Sequence, residues 1–366
     1  RYHNQTYELN QYFSEYGFFK YRTKIEIEYF LYLKKLEINE LKDISNDNIE
    51  YIRQIYDNFS PEECFKIKNI ESNTNHDVKS IEYYLQSKFE KLGLSNYVQF
   101  IHFGLTSQDI NNTALTLMIK DCINDIIIPY LSNILDNLFN KTLDWSDTVM
   151  LTRTHGQTAV PSTLGKEIQV FHFRISKQLK ILKEMPYYGK FGGAVGNLNA
   201  HYQAYPYENW EINFTNFLVE LGLNREILTT QIDNYENLAN IFDCLRRINT
   251  IIIDFNRDIW QYISNEYLVQ KFNENEIGSS TMPHKINPIN FENSEGNLLL
   301  ANALLDFMSN KLPVSRLQRD LTDSTIIRNI GTIFGHMLIA YSNLIKGLNK
   351  LEINKTKIND DLTSNI

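Results

Sequence analysis

Apolar residues recur along most of this chain in alternating steps of three and four, the spacing that lines one face of an α-helix. Leu238, Ile241, Leu245, Ile248, Ile252, Phe255, Ile259 and Tyr262 form one such heptad seam. At ~1.5 Å per residue that segment alone spans roughly 37 Å, too long for a compact small domain. A second seam runs through Leu164, Ile168, Phe171, Ile175, Leu179 and Leu182, and a third through Ile123, Ile127, Leu131, Ile134 and Leu138. The fourth joins Ile327, Ile330, Phe334, Met337, Tyr341, Leu344, Leu348 and Leu351, and Ser294 to Leu312 is a shorter fifth.

Glycine and proline leave room for these helices. Neither occurs between Leu223 and Ile277, and only Pro129 interrupts Leu105 to His155. Both residues cost stability in a helix interior, so such gaps are where long helices form. The first ~95 residues read as shorter helices, with Ser60 as an N-cap and Pro61 at the first helical position. Alternating apolar–polar runs are scarce, so little strand is expected. Extra apolar residues flank the seams, as in Ile126-Ile127-Ile128 and Ile251-Ile252-Ile253. A helix apolar on several faces needs several neighbours. The expected fold is therefore all-α, a long helical bundle that buries further faces against other copies of itself. Substitutions along the Leu238–Tyr262 seam are then expected to dissociate the oligomer.

Composition narrows the class of protein. The 366 residues are 43% hydrophobic and 22% charged, ordinary for a globular chain. Lys+Arg 36 against Asp+Glu 44 gives a net charge of −8. Such a chain suits neither nucleic acid nor a membrane surface, although a local cationic pocket stays open. Cys64, Cys122 and Cys244 are far apart and form neither a zinc pattern nor a disulfide framework. They read as small buried apolar residues in a reducing compartment. No apolar run reaches the ~18 residues of a membrane span and no secretory signal opens the chain, so a cytoplasmic protein is expected.

Chemistry is confined to four polar islands: Asn73 to Asp77, His102 to Asn111, Thr152 to Gln157 and Gly278 to Pro288. Thr106-Ser107-Gln108-Asp109 and Asn75-His76-Asp77 suit helix caps, a role that does not exclude binding. His102, between Ile101 and Phe103, suits a hydrogen-bonded core histidine, and His172, His201 and His336 also read as structural. His155 lies between Arg153 and Gly156. At the mouth of a long helix, the cation and the helix dipole lower its pKa toward proton transfer. The last island packs two hydroxyls, a His, a Lys and an Asn into a Gly-led, Pro-bounded loop, a donor set suited to an oxyanion. Gly192-Gly193-Ala194-Val195-Gly196 lacks the βαβ context of a dinucleotide site, and no P-loop, HExxH or nucleophile elbow occurs. No metal and no cofactor are expected.

The string GSSTMPHKINP at 278–288 resembles the signature loop of the aspartase/fumarase superfamily, homotetrameric all-α lyases that release fumarate. Within it, NTNHDVKSIEYYL, FIHFGLTSQDINN, RTHGQ, AVGNLNAH, TTQI and KLPVSRLQRDLTDSTIIRN resemble the adenylosuccinate lyase family in its longer, bacterial-type branch. The resemblance runs from Arg1-Tyr2 almost to the last residue. Thr158 and Val160 depart from residues that are often Pro and Thr, leaving His155 untouched. Family members continue into a third helical domain. The reading therefore divides the chain into an N-terminal helical domain (1–96), a central bundle (97–348) and the start of an otherwise absent C-terminal domain (349–366). Arg1 in place of Met implies that the natural start is missing too.

The resemblance implies cleavage of adenylosuccinate to AMP and fumarate, and of the succinyl-carboxamide ribotide in purine biosynthesis. It implies Ser279 as general base and His155 as general acid supported by His76. Ser280 and Lys285 are implied to hold carboxylates, with Thr106 and Ser107 offering hydroxyls at a helix N-terminus. Gln231 and Asn293 are implied to bind substrate. Arg1, Tyr2, Asn75, Asp77, Arg319, Ser324, Thr325, Ile326, Ile327 and Arg328 are implied to complete the phosphate and nucleotide pocket. Each active site is implied to draw on three subunits. Two other readings stay open at this level: a sister fumarate-releasing lyase, and a helical scaffold without activity.

Overall fold

The computed structural model describes residues 2–271 and 286–364. The seams become helices. Glu236–Ser264 runs for 29 residues, about 43 Å at ~1.5 Å per residue. It packs against Ile289–Lys311 and Leu164–Glu184. Ile330–Lys350 packs on Ile289–Lys311 and on Ile128–Asp144, which also lies against Leu164–Glu184. These five helices share one apolar core, and the chain is an all-α long-helix bundle.

Every residue of the Glu236–Ser264 seam from Leu238 to Ile259 is buried within the single chain. That corrects the expectation for the seam. Its substitution opens a cavity inside one subunit, at about 2–5 kcal/mol for a Leu→Ala change, and so tests folding rather than assembly. The faces left uncovered lie elsewhere: Val170 and Phe173 on Leu164–Glu184, and Leu299, Leu300 and Phe307 on Ile289–Lys311 are exposed.

A second core lies at the N-terminal end. Glu15–Lys35 packs on Asn46–Asp57, Pro61–Thr74, Asp77–Lys91 and Ser107–Cys122. It also gathers Phe191, Trp210, Phe214 and Phe217 from a later excursion of the chain. Ser60 caps Pro61–Thr74 by accepting from the Glu63 N–H at 3.4 Å, with Pro61 in the first turn. Ser107–Cys122 continues through a π-helical turn, Ile123–Ile127, into Ile128–Asp144. The three cysteines are buried and free. Among the described residues no helix is long and apolar enough to cross a membrane.

Among the described residues strand is scarce, in three two-stranded pairs. One was not anticipated. Val149–Thr154 and Gln157–Thr163 form an antiparallel hairpin in which Thr154 faces Gln157. The two residues between them, His155 (φ 53) and Gly156 (φ 74), are both left-handed, as the tightest hairpin turn requires. His155 therefore sits at a hairpin tip rather than at a helix mouth, since the next helix begins at Leu164. The expected dipole effect on it has no source.

Candidate active site

Two of the polar islands, the Arg319–Arg328 segment and the helix Glu15–Lys35 build one cleft of about 250 Å³. Its first wall is the junction between Pro61–Thr74 and Asp77–Lys91. Asn75 ends the former in a left-handed conformation (φ 51), and His76 caps the latter, its Nδ1 accepting from the Lys79 N–H at 3.1 Å. That bond leaves Nε2 as the protonated nitrogen of the neutral ring, a donor on a half-exposed side chain. The sequence reading of this segment as a cap holds, and its three residues still line the cleft.

The second wall is the start of Ser107–Cys122. Thr106 caps it, and the Asp109 carboxylate reaches back to accept from the Thr106 N–H at 2.8 Å. Ser107, Gln108, Asn111 and Asn112 then face the cleft. Gly104, two residues ahead of Thr106, has φ +67, and a Cβ there meets the His201 ring at 2.6 Å. The chain can enter the cap only because that side chain is missing.

The third wall is the Arg319–Arg328 segment. Arg319 donates through Nη1 to Gln231 Oε1 at 3.1 Å and lies 3.4 Å from Ser324 Oγ through Nη2. The Gln108 amide, its oxygen turned toward Arg319, accepts from Nη2 at 2.9 Å. Gln231 itself is placed by a bond from its Nε2 to the Ala194 carbonyl at 2.9 Å. A second glycine serves that approach: Gly196 (φ +82) lies against the Thr229 carbonyl, where no Cβ fits. Ile327 and Arg328 complete the wall, whereas Thr325 is exposed and Ile326 packs on the edge of the core.

Charge in the cleft is lopsided. Arg22, from Glu15–Lys35, pairs with Asp77 at 3.0 Å, and burial lowers its pKa to about 10. Burial works against the Asp77 carboxylate, yet Arg22, the Val78 N–H and Arg328 outweigh it and leave its pKa below the usual range. Among the described residues Arg319 bonds only neutral groups. The Arg328 side chain is 72% exposed and 3.9 Å from Asp77. Three guanidiniums against one carboxylate make a cationic site in a chain of net charge −8. Two planar forks with room for a ligand suit a phosphate.

Other expected site residues lie apart. His155 lines none of this cleft; its hairpin packs on Lys355–Ser364. Asn293 is on Ile289–Lys311, where its side-chain oxygen accepts from Asn297 at 3.0 Å. Tyr2 precedes the short helix His3–Thr6, which rests on Ile330–Lys350. Arg1, Ser279, Ser280 and Lys285 lie outside the described residues. The histidines read as structural are so placed. His102 Nδ1 meets Glu26 at 2.6 Å, His201 is buried against Tyr29 and the Phe103 carbonyl, and His336 meets Asn297 at 2.8 Å. His172 packs its ring on Phe139. Arg22 and Asn112 were missed, and Gln108 and Asn111 belonged to a polar island without a role of their own. Their signal was polarity on the inner face of helices otherwise apolar there.

The family profile described as Lyase matches residues 1–303, and that described as Adenylosuccinate lyase C-terminal matches residues 315–366. An adenylosuccinate lyase of Dictyostelium discoideum is 48% identical over 375 residues, covering 100% of this chain and 80% of that protein. The chain belongs to the adenylosuccinate lyase family. The adenylosuccinate lyase of Escherichia coli (strain K12) is 45% identical over 370 residues, with the same coverage of 100% and 80%. Membership of the adenylosuccinate lyase family makes this chain a lyase and sets it apart from the sister families that share the loop. The crystal structure of 3-carboxy-cis,cis-muconate lactonizing enzyme from Pseudomonas putida superposes with a TM-score of 0.77 at 21% identity, over 97% of this chain and 78% of that one. That likeness concerns the fold.

Proposed function

We propose that the chain eliminates fumarate from adenylosuccinate to give AMP, and from the succinyl-aminoimidazole-carboxamide ribotide, in the cytoplasm. The observation that carries this reading is the cationic cleft, where Arg319 and Arg328 flank Ser324, Ser107 and Asn75. A nucleotide phosphate fits the two forks, and serine and amide groups suit the base and ribose. The reaction removes a weakly acidic proton beside a carboxylate and then expels a nitrogen. It needs a base, a stabiliser for the carboxylate that gains charge, and an acid for the leaving nitrogen.

In this reading Ser279 is the base, with Ser280 and Lys285 on the substrate carboxylates. Thr106 and Ser107 supply hydroxyls and N–H groups at the mouth of Ser107–Cys122. His155 protonates the leaving nitrogen, and His76, a donor through Nε2, supports it. Gln231 acts through Arg319, and Arg1, Tyr2, Asn293 and the Thr325–Ile327 segment complete the pocket. His155 is not among the residues that line the cleft, and its hairpin packs on Lys355–Ser364, so a homotetramer that supplies His155 from a neighbour is part of the proposal. So is the division into 1–96, 97–348 and 349–366.

The test is ultraviolet absorbance of the purified protein mixed with adenylosuccinate. Conversion to AMP is expected, and His155→Ala is expected to slow it by about 10²–10⁴-fold, the usual worth of a general acid. A tetramer that leaves adenylosuccinate untouched, while acting on argininosuccinate, malate or aspartate, overturns the substrate assignment.

A further inference from the structure

Beneath the cleft, one phenol spans the gap between its second and third walls. Tyr235 is 1% exposed and holds a left-handed backbone, φ 66, at the head of Glu236–Ser264. That conformation is costly for a bulky side chain and persists only where the surroundings over-determine it. Its hydroxyl accepts from Asn112 Nδ2 at 2.7 Å and donates to Asp323 Oδ2 at 2.8 Å.

Each partner continues toward the cleft. Asn112 lies on Ser107–Cys122 and lines the cleft directly, and its Oδ1 accepts from the Asp233 N–H at 3.1 Å. Asp323 is 3% exposed, and its Oδ1 accepts from the Ser324 N–H at 2.7 Å. Ser324 Oγ is in turn 3.4 Å from Arg319 Nη2. A single hydrogen-bonded chain thus runs from Asn112 through Tyr235 and Asp323 to Ser324 and Arg319. Burial, reinforced by the Asp323 charge, holds the phenol pKa far above its ordinary value. The hydroxyl keeps its proton and donates to Asp323 at any working pH.

We propose that Tyr235 is a positioning residue that fixes the spacing between the Ser107–Asn112 wall and the Arg319–Ser324 wall, and so sets the affinity of the site for the nucleotide monophosphate half of its ligand. The inference rests on the reading of the cleft as a nucleotide site. Tyr235 touches neither ligand nor reacting atoms. Its effect falls on the spacing of two walls, one of which also carries Ser107.

Tyr235→Phe tests this, because it keeps the ring and its packing and removes only the bridge. The expected result is a rise of about tenfold in KM for adenylosuccinate, what one lost hydrogen bond to a charged group is worth, with kcat within about twofold. AMP affinity, read by calorimetry, falls by the same factor. A merely structural tyrosine lowers the folded fraction and the melting temperature and moves neither KM nor AMP affinity; that result overturns the proposal. Asp323→Asn provides the second arm. The double variant is expected to lose no more AMP affinity than Asp323→Asn alone, since both act on one chain; additive losses overturn the proposal as well. Wild-type protein that neither converts adenylosuccinate nor binds AMP overturns the nucleotide reading and this inference together. Wild-type protein that does both, with Tyr235→Phe unchanged, overturns the inference alone.

Discussion

His102 shows how a single residue acquires meaning from its neighbours. Flanked by Ile101 and Phe103 it reads as a core histidine, and it is one, but its partner is a carboxylate 76 positions away. Glu26 is fully buried and lies 2.6 Å from Nδ1. Burial alone lowers an imidazole pKa, yet the Glu26 charge outweighs it and lifts His102 to about 9. The folded value thus exceeds the unfolded one of ~6.5. The stabilisation is complete below pH ~6.5 and is lost as pH rises through about 9. Relative to His102→Gln, the wild-type protein is expected to gain on the order of 2–3 kcal/mol at pH 6. That gain should shrink steadily to pH 9.5 in denaturant titrations. The left-handed backbone at this position (φ 58) costs both proteins alike and does not bend the profile. An advantage flat across that window refutes the ion pair.

At the scale of elements, the start of Ser107–Cys122 was legible as a cap, and what stands behind it was not. Asp109 is the third helical residue, where a carboxylate satisfies free N–H groups. Its other oxygen meets Lys190 Nζ at 2.7 Å, and the Gly192 N–H donates to it at 2.8 Å. The glycine run that lacked a dinucleotide context is therefore a cradle for an internal carboxylate. Lys190 and Asp109 side chains are both 0% exposed, so removing one strands the other. Lys190→Met is expected to cost about 3–5 kcal/mol, read as a fall in the urea midpoint; an unchanged midpoint refutes it. The hairpin at His155 shows the opposite failure. Its signal was present, a His-Gly pair between two β-prone runs, but the surrounding helical periodicity concealed it.

At the scale of the whole molecule, the two kinds of apolar face part company. Leu245 is buried within the subunit, so Leu245→Asp is expected to unfold it. Phe173 is 67% exposed and Phe307 51%, large rings left uncovered on two of the long helices. Phe173→Glu with Phe307→Glu is expected to yield a smaller species by sedimentation, helical by circular dichroism and inactive on adenylosuccinate. A dissociated protein that keeps its activity defeats the shared-site proposal.

Periodicity specified the long helices and the all-α class, because helix formation depends on residues three and four apart, and residue type at the ends specified caps such as Ser60 and Thr106. Motif strings likewise singled out Asn75, His76, Ser107, Arg319 and Arg328, since each belongs to a short contiguous segment. Contacts between distant segments had no such local trace. Tertiary packing decided that Arg22 closes the cleft against Asp77, that Tyr235 joins Asn112 to Asp323, and that the Leu238–Ile259 seam is spent inside one subunit. Each of these depends on which helix faces which, and a helix's own spacing states only that it has a face to bury.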